Sequence, residues 1–140
     1  MRITKHTDYA IRSLMYLSLK DEEDLASIRE ISEFFKISKN HLMKVINRLS
    51  QDGYITSSRG KHGGIKLAKS PNAIELGELL RKLELDGPMV DCETGPCQFM
   101  GNCTLKCRLD AAKSAFANTF DGITIADLAA DRSALQALIH

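Results

Sequence analysis

The chain has 140 residues, 44% of them apolar and 26% charged, which is enough for one compact core with a peripheral element and is ordinary for a globular protein. No apolar run approaches the ~20 residues of a membrane span, and the opening MRITKHTDYA carries charge where a signal peptide would be apolar, so a cytoplasmic location is expected. The formal net charge of +1 hides an asymmetry: between Lys36 and Lys69 eight Lys or Arg face one acid, Asp52, so that this segment carries +7 and the remainder −6.

In chain order, a first helix is predicted from Lys5 to Leu19, capped by Thr4, with Ile11, Leu14, Met15, Ser18 and Leu19 on one face. An acidic loop, Asp21 to Asp24, follows. Ser27-Ile28-Arg29-Glu30 has the pattern of a capping box and opens a helix running to Phe35. After the break Lys36-Ile37-Ser38, a longer helix runs from Lys39 to Gln51 with Leu42, Val45, Ile46 and Leu49 inward, stopped by Gly53. Tyr54 to Ser57 and Ile65 to Ala68 read as short strands about a glycine-rich turn. Ser70-Pro71-Asn72 starts a further helix with an apolar stripe of Ile74, Leu76, Leu79, Leu80 and Leu83. Gly87 to Cys103 reads as loop, Thr104 to Phe120 as a long helix, and Thr124 to Asp127 as a second capping box before a short terminal helix. The expected architecture is mainly α: a winged helix-turn-helix (1–72), then a cysteine-loop and dimerisation region (73–140) that contains the long helix.

Two helices joined by a three-residue turn and followed by a hairpin are the order of a winged DNA-reading element. The second helix leaves Lys39, Asn40, His41, Lys44, Asn47 and Arg48 outside, and at ~1.5 Å per residue it is about 20 Å long, a fit for the major groove. Its N-terminal end meets base edges first, which makes Ser38, Asn40, His41 and Lys44 candidates for reading sequence. Lys39 and Arg48 are candidates for phosphate contacts. At the hairpin tip, Arg59, Lys61 and His62 supply charge, while Gly60, Gly63 and Gly64 let the backbone approach a strand, with Arg59 placed for the minor groove. The bland alternative, a helical domain with a basic surface, explains neither the wing nor the confinement of the charge.

All four cysteines lie within 16 residues, as Cys92-x4-Cys97-x5-Cys103-x3-Cys107. Structural zinc sites favour close pairs such as C-x2-C. The wider gaps suit a loop around something bulkier, and soft thiolates favour iron–sulfur clusters. A zinc site and a disulfide switch remain as alternatives, and Cys107, one turn into a helix, is also placed to act as a small buried hydrophobe. The histidines are scattered, and nothing has the signature of nucleophilic catalysis, so an enzyme is not expected.

The start Thr4-Lys5-His6-Thr7-Asp8-Tyr9-Ala10, the stretch Asn40 to Asn47, Arg59-Gly60-Lys61-His62-Gly63-Gly64-Ile65, three cysteines before a long helix, and the ending Gly122 to Leu128 together resemble the Rrf-type winged-helix regulators. Within that family the resemblance is to the nitric-oxide-sensing NsrR-type repressors. It implies a homodimer built on paired long helices and one iron–sulfur cluster per protomer, held by Cys92, Cys97 and Cys103. It further implies a fourth ligand at Asp8 of the partner subunit, with nitric oxide as signal. Cluster-assembly regulators of the family place a histidine where this chain has Lys106, which favours a 4Fe–4S over a 2Fe–2S cluster. Cys107 is the alternative fourth ligand, and the bland role of Asp8 is an (i, i+4) pair with Arg12. Two rival readings use the same scaffold: sensing of iron, cluster status or redox state, and a zinc-stabilised DNA-binding protein.

Overall fold

A computed structural model describes residues 2–95 and 97–139, with seven α-helices and a two-stranded antiparallel sheet among them. None of these helices is long and apolar enough to cross a membrane.

Helix α1 (Lys5–Ser18) is capped by Thr4, whose hydroxyl accepts from the Thr7 amide at 3.3 Å. Its buried face differs from the expected stripe: Thr7, Ala10, Ser13, Leu14, Tyr16, Leu17 and Ser18 are covered, while Ile11 and Met15 are only partly so. The reason is position. α1 is packed against α3, α4 and α6, so its tightest face takes small residues. The Ser13 and Ser18 hydroxyls donate to the carbonyls of Tyr9 and Met15, each at 2.7 Å, and need no water.

Helix α2 (Ile28–Phe35) opens with the expected capping box, Glu30 N to Ser27 Oγ at 3.0 Å and Ser27 N to Glu30 Oε2 at 3.4 Å. It ends at Lys36, whose left-handed backbone (φ 53°) turns the chain toward buried Ile37. Helix α3 (Lys39–Gln51) is capped by Ser38 and buries Leu42, Val45, Ile46 and Leu49. Both helices match their predicted limits.

Strands β1 (Ile55–Ser58) and β2 (Gly64–Leu67) pair with Ile55 opposite Leu67, one residue from the predicted limits. Tyr54 and Ala68 still join beyond the ladder through a 2.9 Å backbone bond. Ala26, in the loop before α2, exchanges two bonds with Ile65 at 3.0 and 2.8 Å, which anchors the hairpin to the helical body.

After the hairpin the expected helix start at Ser70 is instead one 3-10 turn, Pro71–Ala73, and α4 begins only at Leu76 (Leu76–Leu83). The intervening backbone is extended because it pairs with a distant segment: Leu76 N donates to Ile123 O at 2.8 Å and Ile125 N to Ile74 O at 3.0 Å. Helix α5 (Thr104–Asn118) stops slightly short of the predicted Phe120. The second capping box, Thr124 with Asp127, opens α6 (Ile125–Leu128), and a further helix, α7 (Arg132–Ile139), follows where one terminal helix was expected. α7 covers the far end of α1: Arg132 donates to the carbonyls of Ser18, Leu19 and Lys20 at 2.9, 3.3 and 3.4 Å, and Gln136 donates to Leu19 O at 2.8 Å. One apolar cluster runs from Ala10 and Leu14 through Leu42 and Leu49 to Ile74, Leu79 and Ile125.

Glu30 ties α1 to α2. It accepts from the Tyr16 hydroxyl at 2.6 Å and pairs with Lys20 at 2.8 Å. Burial works against its charge, but the bonds from Lys20, Tyr16 and the Ser27 amide prevail and hold its carboxyl below the usual range. A carboxyl depressed in the folded state adds stability above its unfolded pKa of about 4.3 and loses it as pH falls through the folded value. Glu30→Ala is expected to cost about 1–2 kcal/mol at pH 7 in chemical denaturation. Glu30→Gln should flatten the acid limb of the stability curve, its difference from the parent chain shrinking below about pH 4.

Candidate nucleic-acid interface and cysteine loop

α3 presents a continuous exposed edge. Ser38, Lys39, Asn40, Lys44, Asn47 and Arg48 are all exposed, and His41 is half-buried. The helix is held from behind by the four apolar residues that face the core, so its outer side chains are carried on a rigid support. Arg48 is already engaged, its Nε 2.7 Å from Asp52 Oδ2. Lys39, Lys44, Arg59 and Lys61 take part in none of the ion pairs formed among the described residues, which leaves their charge available to an anion.

The wing tip is shaped by glycine at two places. Gly60 has φ +116°, a backbone that side chains rarely adopt. At Gly63 a Cβ would lie 2.3 Å from the Ser58 carbonyl oxygen. The turn closes through Gly63 N to Gly60 O at 3.0 Å. Arg59, Gly60, Lys61 and His62 are thereby held exposed on a tight loop beside α3, with Gly63 half-covered.

Three contributors to this surface were not legible in the sequence. Met43 lies on the outer face of α3, 39% exposed. From α1, the Tyr9 ring stands edge-on to His41 at 5.1 Å and 71°. His6 lies close enough to α3 that its pKa is lowered, by burial first and then by the charges of Arg48 and His41, with Glu84 opposing. The first turn of α1 therefore forms part of the surface around α3. Only its cluster of Lys5 and His6 hinted at this.

The cysteine loop joins α4 to α5. Its thiols and that of Cys107, one turn into α5, are free and none is buried: Cys92 and Cys103 are half-exposed, Cys97 and Cys107 exposed. Cysteine that serves as core filler is normally covered, so these thiols have no packing role in the single chain. Cys103 is the N-cap of α5 and makes no side-chain cap bond, so the first amides of that helix have no side-chain acceptor and its positive end lies beside the thiol. Lys106 is paired with Asp110 at 2.7 Å, and Asp8 with Arg12 at 2.8 Å. Among the described residues no three His, Cys, Asp or Glu side chains stand close enough together to hold a metal ion. By donor chemistry the four thiols suit a soft, thiolate-bound group.

Around the thiols, Met89, Phe99, Met100 and Leu105 are between 44% and 75% exposed. Only Ala117 of the 15 residues of α5 is buried.

A helix-turn-helix flanked by a hairpin wing with unpaired cations on both is the architecture of a winged-helix DNA-binding regulator. A family model described as Rrf2, iron-dependent transcriptional regulator, matches residues 3–131, and the chain belongs to the Rrf2 family of transcriptional regulators. It is similar to the solved structure of CymR, the global cysteine regulator of B. subtilis, at 25% identity and TM-score 0.71, covering 93% of this chain and 97% of that one. It is also similar to T. potens IscR, at 26% identity and TM-score 0.73, covering 94% and 88%. The oxidised form of Staphylococcus aureus CymR matches at 25% identity and TM-score 0.71, covering 92% and 96%. The family and CymR are regulators, not enzymes.

Gly63→Ala is expected to push the wing turn open, because the added methyl meets backbone. Hydrogen exchange should rise across Ile55–Leu67 while the amides of α3 keep their protection.

Proposed function

We propose that the chain is a homodimeric, sequence-specific transcriptional repressor whose grip on promoter DNA is set by an iron–sulfur cluster, with nitric oxide as the signal. The observation that carries this reading is the set of four unburied thiols leading into a long helix that buries almost nothing of itself. Thiols without a packing role call for a ligand. A 15-residue helix with one buried side chain calls for a partner surface, since helices of this length are marginal alone.

Cys92, Cys97 and Cys103 would hold the group, a 4Fe–4S cluster in each protomer, with Asp8 of the partner subunit as fourth ligand and Cys107 as the alternative. Bound there, a cluster supplies an iron centre whose ligands nitric oxide displaces. The protein's own part is spatial. Asp8 lies on the first turn of α1, next to Tyr9 and two residues from His6, so a ligand drawn to Asp8 biases the turn that abuts α3. A dimer must offer its two reading helices about 34 Å apart to meet successive major grooves, and a ligand that favours one arrangement shifts affinity accordingly.

On α3, Ser38, Asn40, His41 and Lys44 would read bases, while Lys39 and Arg48 contact phosphate. Arg59, Gly60, Lys61, His62 and Gly63 would seat the wing, with Arg59 in the minor groove. Lys39→Ala should weaken binding to all sequences alike and lower the slope of log affinity against log salt by about 1. Asn40→Ala should instead relax sequence preference at one position, by about 1–3 kcal/mol.

The rival reading, redox sensing through the thiols without a cluster, rests on the same four free, unburied thiols. Anaerobically purified protein decides between the two. The cluster reading expects brown protein with iron and sulfide, and promoter affinity that falls at least about tenfold, or roughly 1.4 kcal/mol, on exposure to nitric oxide. Colourless, iron-free protein that binds promoters fully, or equal affinity in the loaded, nitric-oxide-treated and apo states, would overturn it. Comparing the cluster spectra of Asp8→Ala and Cys107→Ala assigns the fourth ligand.

A further inference from the structure

The start of α1 is held by a residue eighty positions along the chain. The Thr4 amide donates to both oxygens of Glu84, at 3.1 and 3.0 Å, and the Thr4 hydroxyl donates to Oε2 at 2.9 Å. Thr4 is the N-cap of α1 and Glu84 the C-cap of α4, so one carboxylate joins the two helix ends. The positive end of the α1 dipole favours the charge. Burial opposes it, yet the bonds from Thr7 and Thr4, with His6 nearby, hold the Glu84 carboxyl below its ordinary range.

α4 is itself fixed. Arg81 donates to Asp121 at 2.8 and 2.9 Å and to Asn118 at 2.7 Å, which ties α4 to the end of α5. The first turn of α1, by contrast, has its outward side chains exposed or half-exposed: Lys5 is exposed, and His6, Asp8 and Tyr9 are half-buried. What that turn touches is the reading helix, through Tyr9 against His41.

We propose that Glu84 is a positioning residue for DNA reading: by clamping Thr4 to the end of α4 it fixes the first turn of α1, and through Tyr9 it sets the orientation of His41 on the outer edge of α3. This rests on the reading of α3 as the base-contacting helix and is independent of what the cysteines hold. Glu84 contributes no contact to DNA. As an acid near His6 it would, by charge alone, repel the phosphate backbone.

Charge and position therefore predict opposite signs. If Glu84 acts only through its charge, Glu84→Ala and Glu84→Gln both tighten DNA binding. If it positions the turn, Glu84→Ala weakens specific binding, while Glu84→Gln, which keeps an oxygen for the Thr4 amide, recovers most of it.

The test uses anaerobically purified full-length protein and two duplexes, one selected from a random-sequence pool by the parent chain and one scrambled from it. Expected is a loss of about fivefold on the selected duplex for Glu84→Ala, with the scrambled duplex within about twofold and Glu84→Gln near the parent value. The His41 ring protons, observed by NMR in free protein, should shift in Glu84→Ala through the changed ring current of Tyr9, and return in Glu84→Gln. Equal or tighter binding by both variants overturns the proposal, as does an unmoved His41 signal in Glu84→Ala. Should the parent chain bind both duplexes equally, the reading of α3 fails and takes the proposal with it, an outcome seen without either variant.

Discussion

The dipole of α1 meets a matching group at each end. At its N-terminus the Glu84 carboxylate accepts from Thr4, and at its C-terminus the Arg132 guanidinium donates to three carbonyls. Between these clamps α1 packs on α3, α4 and α6, so the second helix of the helix-turn-helix, the helix leading into the cysteine loop and the C-terminal segment all take their positions from it. Displacement of α1 cannot be absorbed locally, because its inner face is filled to zero exposure at Thr7, Ala10, Ser13 and Leu14. The first turn of α1 is thereby held against α3, with Tyr9 on His41.

The helix-turn-helix was legible because its signals are local. The Ser27–Glu30 box and Gly53 each mark a boundary by chemistry within four residues, and the apolar spacing of Leu42, Val45, Ile46 and Leu49 names the inner face. The misreadings are non-local. Ile11 and Met15 looked like core, but α1 is crowded on several sides and its tight face needs serine and alanine. Ser70-Pro71 looked like a helix start, but Ile74 to Leu76 is claimed by backbone pairing with Ile123 to Ile125, some fifty residues away. Sequence spacing marked the thiols as ligands of something soft. It could not reveal the part of Tyr9, His6 and Glu84 around α3, because that depends on how α1 and α4 meet.

α5 buries little of itself in the chain's body. Its apolar residues Leu105, Leu109, Ala112 and Phe116 are spaced three to four apart, as a packed helix requires, yet only Ala117 is buried. Phe116 finds an internal partner in Phe120, with ring centroids 5.2 Å apart, and the helix is tied to the body mainly at its C-terminal end, through Arg81 with Asn118 and Asp121. The N-terminal half, where Cys103 and Cys107 lie, is the half with least support. A ligand or a second chain arriving there would order a segment that the single chain leaves to solvent.

The clamps on α1 also set an order of events during synthesis. α1 is made well before α7: Arg132 and Gln136, which satisfy its terminal carbonyls, come more than 110 positions later, roughly ten seconds of elongation. Until then the carbonyls of Ser18, Leu19 and Lys20 lack these donors. Native docking of α1 is thereby tied to a segment translated much later, so a nascent chain stalled short of α7 would hold α1 to α3 without that backing.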